Sequence, residues 1–472
     1  MKYTDAQIKA INQGRNPAIV SAGAGSGKTA VLTQRVVRLI CDKNENIDPS
    51  KIVVVTFTEK AANELKARLD ALMRQRISEA VSSADVRFLR NQRMKLRKAC
   101  ISTISSFCFS LLRENIDLVT DISAGFSLID ETRSKALKED ILSDVLEDFY
   151  ANGDKADRDV IVENYVAKDD RRLRDIILAV HEKAINHTEP EKWLDRSDDP
   201  QIMQDIKKKL ISLAGMYAER FESEADSLDS AIAEYDGGTK DNDGAIAKHS
   251  DYAQGIKDSY GKAVTALVKN GFSIDDTVKG YIASFPKERA PQDRSAEKQV
   301  KAHREGVKSI FEKYFIKTCD KTTSFESDMA KSLPAVTALK NLVLCFDKAY
   351  SAEKQRRNCA DFSDAERGVY RMLCENGEKV RERSGFSLII VDEFQDSNKL
   401  QYEIFKMLTE NKQGLYFVGD IKQSIYGFRG AQPSVFSAIC KSDDFDKLPL
   451  NENFRSDRLS LIHISEPTRP LY

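Results

Sequence analysis

Residues Ser21 to Thr29 read Ser-Ala-Gly-Ala-Gly-Ser-Gly-Lys-Thr, and this nonapeptide restricts the fold more than any other stretch of the chain. Gly23, Gly25 and Gly27 permit positive φ and bring backbone N–H groups close enough together to converge on an anion. An apolar run, Pro17 to Val20, precedes the loop and reads as a short buried strand. After it, Val31, Leu32, Val36, Val37, Leu39 and Ile40 recur at helical spacing, so a helix beginning near Lys28 would point its positive dipole end at the loop. Strand, glycine loop, Lys-Thr and helix in that order make a phosphate cradle out of backbone. Ala22, Gly23, Ala24, Gly25, Ser26, Gly27, Lys28 and Thr29 are its binding residues; Ala22 stands where the strict Walker pattern has glycine. Lys28 is placed to reach the β and γ phosphates of a nucleoside triphosphate, and the Thr29 hydroxyl to sit on Mg²⁺.

A second element completes such a site. Leu388 to Val391 is apolar throughout and ends in Asp392-Glu393-Phe394-Gln395-Asp396, where a parallel sheet presents its working side chains. Asp392 is the expected second protein ligand of the Mg²⁺, and Glu393 the group that orients or deprotonates an attacking water. A third run, Gly414 to Gly419, leads into Asp420 to Ala431. Gln423 there suits a sensor of the γ phosphate, and Tyr426 and Phe428, beside Arg429, suit base stacking against a single strand.

Strand-like runs cluster at both ends of the 472 residues: Lys51 to Phe57, Cys100 to Ile104, Phe386 to Asp392 and Gly414 to Gly419. Near-continuous apolar strands of this kind belong in a parallel sheet covered on both faces. From about Asp130 to about Arg383 the chain turns polar, with apolar residues every three or four positions, broken by Tyr235 to Gly244 and by Ala290-Pro291. The expected fold class is α/β, one P-loop domain split by a large helical insertion. Its expected parts are residues 1–129, an insertion over 130–384 and a return over 385–458. A net charge of −1 excludes a globally basic surface, so any nucleic-acid contact must be local. From Arg68 to Cys100, nine cations (Arg68, Arg74, Arg76, Arg87, Arg90, Arg93, Lys95, Arg97, Lys98) face three acids (Asp70, Glu79, Asp85), which fits either a phosphate-backbone surface or a solvated helix face. Eight cysteines without a C-x-x-C pair read as buried free thiols, with neither metal cluster nor disulfide framework. No stretch reads as a membrane span or signal core, and the expected location is cytoplasmic.

Taken together and in order, these segments resemble the superfamily 1 DNA helicases of the UvrD/Rep type. Thr4-Asp5-Ala6-Gln7 looks like their Q motif, which implies that Gln7 reads adenine. Thr56-Phe57-Thr58-Glu59-Lys60-Ala61-Ala62 is similar to motif Ia, which implies that Phe57 contacts single-stranded DNA. Asp392 to Asp396 looks like motif II and Val418 to Ala431 like motif III. Asn451-Glu452-Asn453-Phe454-Arg455-Ser456 resembles motif IV, which implies that Arg455 approaches the γ phosphate. Lys422 to Tyr426, Phe428 to Ala431 and Asp361 to Glu366 look more like AddA/RecB subunits than like UvrD.

The resemblance implies a RecA-like domain 1A split by an all-helical insertion 1B. It implies an ATP- and Mg²⁺-dependent 3′ to 5′ helicase acting on single strands and duplex ends in double-strand-break repair and recombination. A carboxyl-terminal nuclease domain and a second subunit of the AddB/RecC kind are also implied. Alternatives are a UvrD-like repair helicase without nuclease, a related motor on RNA, or a nucleotide-gated binding module. Two positions depart from the family. Thr103-Ile104-Ser105-Ser106-Phe107 has serine where the family usually has histidine, and Phe428 stands where UvrD has tryptophan. Leu459 to Arg469 resembles the in-frame translation of a transposon-type sequencing adapter, so 459–472 is expected to be a scar, the alternative being a genuine short tail. The chain is accordingly expected to be an amino-terminal fragment without the second motor domain, nearly inactive alone.

Overall fold

In the computed structural model the described residues are 3–45, 47–119, 125–166, 168–238, 245–283, 298–425, 427 and 430–454. In chain order the elements are α1 (Asp5–Asn12), β1 (Ala18–Ala22), α2 (Lys28–Cys41), β2 (Ile52–Thr56), α3 (Glu59–Glu79), α4 (Ser83–Leu96), β3 (Cys100–Thr103) and α5 (Ile104–Glu114). They continue with β4 (Ser127–Leu128), α6 (Glu131–Asn152), α7 (Lys155–Tyr165), α8 (Arg171–Ile185), α9 (Pro190–Leu194), α10 (Pro200–Gly238), α11 (Ala245–Lys269), α12 (Asp276–Ala283) and α13 (Lys298–Ser309). The last are α14 (Ile316–Arg356), β5 (Cys359–Ala360), α15 (Phe362–Ser384), β6 (Leu388–Val391), α16 (Lys399–Met407), β7 (Leu415–Gly419), α17 (Pro433–Lys441) and β8 (Asp446–Leu450).

Six strands pair in the order β3-β2-β6-β7-β1-β8, all parallel. The five strand-like runs of the sequence become β1, β2, β3, β6 and β7. Alternate side chains of each strand enter two different cores. Ile19, Val53, Val55, Ile389, Val391 and Phe417 pack against α5, α15, α16 and α17. Val20, Val54, Ile390, Tyr416 and Val418 pack against α2 and α3 on the other face. Burying each such side chain contributes about 1.5–3 kcal/mol, which is why runs apolar on both parities are stable only as covered strands. The sixth strand, β8, was not legible in the sequence. Its residues Asp-Lys-Leu-Pro-Leu alternate in burial and contain Pro449, the pattern of an edge strand.

The chain divides into two compact units, residues 1–158, 165–194 and 341–472 in one, and 159–164 with 195–340 in the other. The compact helical stretch is therefore narrower than the 130–384 inferred from composition. At the carboxyl side the reason is plain: β5 pairs with β4, and Ala365, Val369, Met372, Leu373 and Val380 of α15 lie in the sheet's own core. Amphipathic helices that cover a sheet and amphipathic helices that form an insertion carry the same pattern. The second unit is all-helical, with a core of Ala218, Phe221 and Leu228 on α10, Ile256 and Tyr260 on α11, and Val307, Phe311, Phe315 and Cys319 further on. One helical run, 299–356, is long and apolar enough to cross a membrane by length and composition alone, but its Phe311, Phe315 and Cys319 are fully buried in that core. The two turn-rich segments, 235–244 and around Ala290-Pro291, fall largely outside the described residues. All eight cysteines are free. Only Cys108 and Cys319 are buried, and Cys345 and Cys374 are exposed, so the expectation of uniformly buried thiols is corrected.

Candidate nucleotide site

β1 delivers the glycine loop to the carboxyl edge of the sheet, and α2 starts at Lys28 immediately beyond it. Gly25 and Gly27 adopt φ of 74° and 83°; Gly23 does not enter the left-handed region, so two of the three glycines carry the conformational requirement. Ser26 closes the turn, its Oγ donating to Gly23 O at 2.7 Å. From α1, Gln7 secures the loop. Its Nε2 donates to Ser26 O at 2.9 Å, while its Oε1 accepts from Thr4 N in the capping box that starts the helix. Both polar atoms of the residue expected to read adenine are thus engaged within the chain. A Cβ on Gly27 would lie 2.9 Å from Gln7 Nε2, so a larger residue there would have to displace the amide that anchors the loop as well as bear the left-handed backbone.

Opposite the loop, β6 ends just before Asp392, and Glu393 takes φ of 52°, a left-handed conformation that costs a non-glycine residue about 1 kcal/mol or more. Lys28 Nζ donates to Glu393 Oε2 at 3.1 Å, which joins the two halves of the site across 365 positions of sequence. Asp392 is buried. Burial first and the charge of Glu393 second push its carboxyl up to about 6, although the Glu393 N–H and Lys28 pull the other way. Asp396 is also raised, by burial and then Glu393. These acids crowd a low-dielectric pocket, which favours a cation there. Among the described residues no group of three or more His, Cys, Asp or Glu is arranged to hold a metal ion. A hydroxyl and a single carboxylate, Thr29 and Asp392, suit Mg²⁺, which keeps several waters.

Gln395, fully buried, is a residue that reasoning from sequence passed over as a site member. Its Nε2 donates to Glu393 Oε2 at 2.9 Å and its Oε1 accepts from Asp420 N at 2.9 Å, tying the end of β6 to the end of β7. A Cβ on Gly419 would lie 2.5 Å from Gln395 Oε1, so β7 must end in glycine. Asp420 in turn accepts from Gln423 Nε2 at 2.6 Å. The legible signal was an amide between two acids just after a buried strand, a polar group that must find partners once buried.

A cavity of about 350 Å³ opens between these elements, lined by Thr29, Phe57, Asp392, Glu393, Gln395 and Gln423 among others. The structure therefore gathers Lys28, Thr29, Asp392, Glu393 and Gln423 in one place, with Phe57 on the same cavity. Phe454 N donates to Gly25 O at 2.9 Å, so the segment after β8 reaches the loop. Arg455, Tyr426, Phe428 and Arg429, expected at the γ phosphate and on DNA, lie outside the described residues, as does 459–472. Ser105, at the position where the family usually has histidine, donates to Glu366 Oε1 at 3.0 Å; Glu366 also accepts from Gln401.

A parallel sheet with a glycine cradle at one strand end and an Asp-Glu pair at another defines a P-loop nucleotide-binding protein. The family model for the UvrD/REP helicase N-terminal domain matches residues 3–444, and the chain belongs to that family. Over 97% of its length it is 31% identical to an ATP-dependent helicase/nuclease subunit from Acetivibrio thermocellus. Proteins of the same name from Staphylococcus carnosus and a Thermoanaerobacter species are 31% and 32% identical over 96% of the chain. The chain spans 38% of the length of each of these relatives.

Proposed function

We propose that this chain is the ATP-binding portion of a DNA helicase subunit of the AddA/RecB kind, with the sheet as domain 1A and the helical stretch within 130–384 as domain 1B. The observation that carries the reading is that Thr29, Asp392, Glu393 and Gln423 line one cavity at the carboxyl edge of the sheet, with Lys28 bonded to Glu393. The backbone of Ala22 to Gly27 cradles the phosphates of ATP, Lys28 holds the β and γ phosphates, and Thr29 and Asp392 hold Mg²⁺. Bound Mg²⁺ neutralises charge developing on the transferred phosphoryl group. Glu393 accepts the proton of the attacking water, a task for which it must give up Lys28; Gln423 reports the γ phosphate through Asp420 and Gln395. Gln7 sets the loop against adenine, Arg455 approaches the γ phosphate, and Phe57, Tyr426, Phe428 and Arg429 contact DNA.

In the whole protein, ATP hydrolysis drives 3′ to 5′ travel on a single strand and unwinding in double-strand-break repair, alongside a nuclease activity and a partner of the AddB/RecC kind in the cytoplasm. The name these relatives share couples helicase with nuclease, which favours this over a UvrD-like helicase without nuclease. Alone, the chain hydrolyses ATP slowly, because closing on the nucleotide takes a second motor wall. Two measurements test the reading. A fluorescent ATP analogue with Mg²⁺ should bind the 472-residue chain and lose at least tenfold in affinity on Lys28→Ala; undiminished binding refutes the cradle. Strong stimulation of ATPase by single-stranded DNA would refute the slow turnover.

A further inference from the structure

The outward face of α4 differs from that of the helix before it. On α3, Arg68 pairs with Glu64, Arg74 with Asp70 and Arg76 with Glu79, at 3.8, 2.8 and 3.9 Å. On α4, Arg93 and Lys95 turn to Asp70 and Asp48 at 2.6 and 3.3 Å. Arg87, Arg90, Arg97 and Lys98 are exposed, and among the described residues none has an ion-pair partner. Arg87 and Arg90, with exposed Asn91 and Met94, lie along one side of α4, and Arg97 and Lys98 stand in the turn that ends it, so the four follow one another over roughly 16 Å. The nearest acid in sequence, Asp85, is held by Lys43 at 2.7 Å.

The place of this stripe matters. Gln92 Nε2 donates to Ile40 O at the carboxyl end of α2, and Lys95 meets Asp48 just before β2 begins. α4 therefore lies at the amino-terminal edge of the sheet, opposite the glycine loop and Phe57. A solvated helix face interleaves charge signs, as α3 does; four unpaired cations in a row repel one another and call for a polyanion. No aromatic side chain is exposed on this face, Phe88 being half-buried beneath Lys43, whereas single-strand sites depend on stacking. A run of three guanidinium groups and one ammonium without stacking partners suits the phosphates of a duplex.

We propose that the outer face of α4 and the turn that follows it bind the phosphate backbone of duplex DNA, through Arg87, Arg90, Arg97 and Lys98, at a position separate from the nucleotide edge. The proposal rests on the reading that the chain acts on DNA. It gives the protein a second DNA contact that holds duplex without base recognition while the other edge works on a strand.

The test measures fluorescence anisotropy of a 30-base-pair duplex and of a 30-nucleotide single strand on the 472-residue chain, across a series of salt concentrations. Arg87→Glu with Arg90→Glu should weaken duplex binding at least tenfold at low salt and lower the slope of log affinity against log salt by about 2, as expected for two lost phosphate contacts. Arg74→Glu with Arg76→Glu makes the same charge change on α3 and should cost less than threefold. Binding of the ATP analogue reports that both variants are folded. Equal losses in the two variants overturn the proposal, and so does an unchanged affinity in the α4 variant, which would assign the face to an acidic protein instead. A wild-type chain that binds the single strand but not the duplex also overturns it. Failure to bind either DNA refutes the functional reading itself.

Discussion

Two carboxylate clusters in the sheet-bearing unit are each built around one lysine, and their lysines serve different ends. Lys354, buried between α14 and the start of α15, lies 2.7 Å from Asp364 and 3.4 Å from Asp361, over the ring of Tyr350. Each aspartate also accepts the other's backbone N–H in a reciprocal capping box, and Tyr350 Oη donates to Asp361. Burial alone would raise Asp361, but Lys354 and these donors outweigh it and hold the carboxyl down at about 2, while Asp364 is raised by its burial and by the charge of Asp361. At the nucleotide edge the raised carboxyl does not touch the lysine. Burial and Glu393 raise Asp392 to about 6, Glu393 is held in a left-handed conformation, and Lys28 makes a single contact. In the first cluster Lys354 touches both carboxylates and fastens α15 to α14; in the second Lys28 touches Glu393, and among the described residues Asp392 has no ion-pair partner, which leaves that carboxyl to a cation from outside.

Removing each lysine or acid should separate the two kinds of cluster. Lys354→Ala leaves two buried carboxylates without their cation and should cost about 3–5 kcal/mol of stability, read as a lower urea midpoint. ATP-analogue binding by the folded fraction should persist. A loss below 1 kcal/mol would mean that the capping box alone holds the cluster.

Glu366, next to the first cluster, extends the contrast to pH. Desolvation raises its carboxyl to about 7, with Ser105 and Gln401 only partly opposing. The folded chain then keeps a proton that the unfolded chain has released, so stability from this group is full below about pH 4.5 and falls as pH rises to about 7. Glu366→Gln should remove that fall, gaining up to about 3 kcal/mol at pH 8. A wild-type stability flat from pH 5 to 7.5 would contradict it. Asp392→Asn should behave alike, gaining up to about 3 kcal/mol at pH 8 without nucleotide while weakening Mg²⁺-dependent binding of the ATP analogue. Destabilisation by Asp392→Asn would show that the carboxylate is already compensated, as in the Lys354 cluster.

How much of this was legible follows from which forces act locally. The loop, β2, β6 and β7 announce themselves because a strand buried on both faces must be apolar at every position, and a phosphate cradle needs glycine at fixed spacing. Lys28, Thr29, Asp392, Glu393 and Gln423 were named as candidates on that basis, and the fold brings them together. Partnerships between distant segments were not legible. Gln395 and Gln7 act by hydrogen bonds to residues 25 and 19 positions away. Arg35 sits on a helix where an arginine ordinarily faces water, yet it is fully buried with its guanidinium 4.0 Å from the ring centre of Tyr416. The edge strand β8 and the extent of the helical stretch depend on what lies alongside them, and a composition profile holds no record of neighbours.

The smallest effect probes how stiff the cradle is, which distinguishes a site prepared for an anion from one that forms around it. Gly27 stands at φ of 83° as the residue before α2, with Gln7 Nε2 2.9 Å from where a Cβ would be. Alanine there must bear the left-handed conformation, about 1 kcal/mol, and must push away an amide whose other bonds fix α1. Gly27→Ala should therefore lower stability by about 1–2 kcal/mol, far less than Lys354→Ala, yet weaken the ATP analogue at least tenfold, because displacing Gln7 frees Ser26 and misdirects the loop's N–H groups. If affinity falls only in proportion to stability, the loop is shaped by its ligand rather than by Gln7, and the nucleotide edge is looser than its capping box suggests.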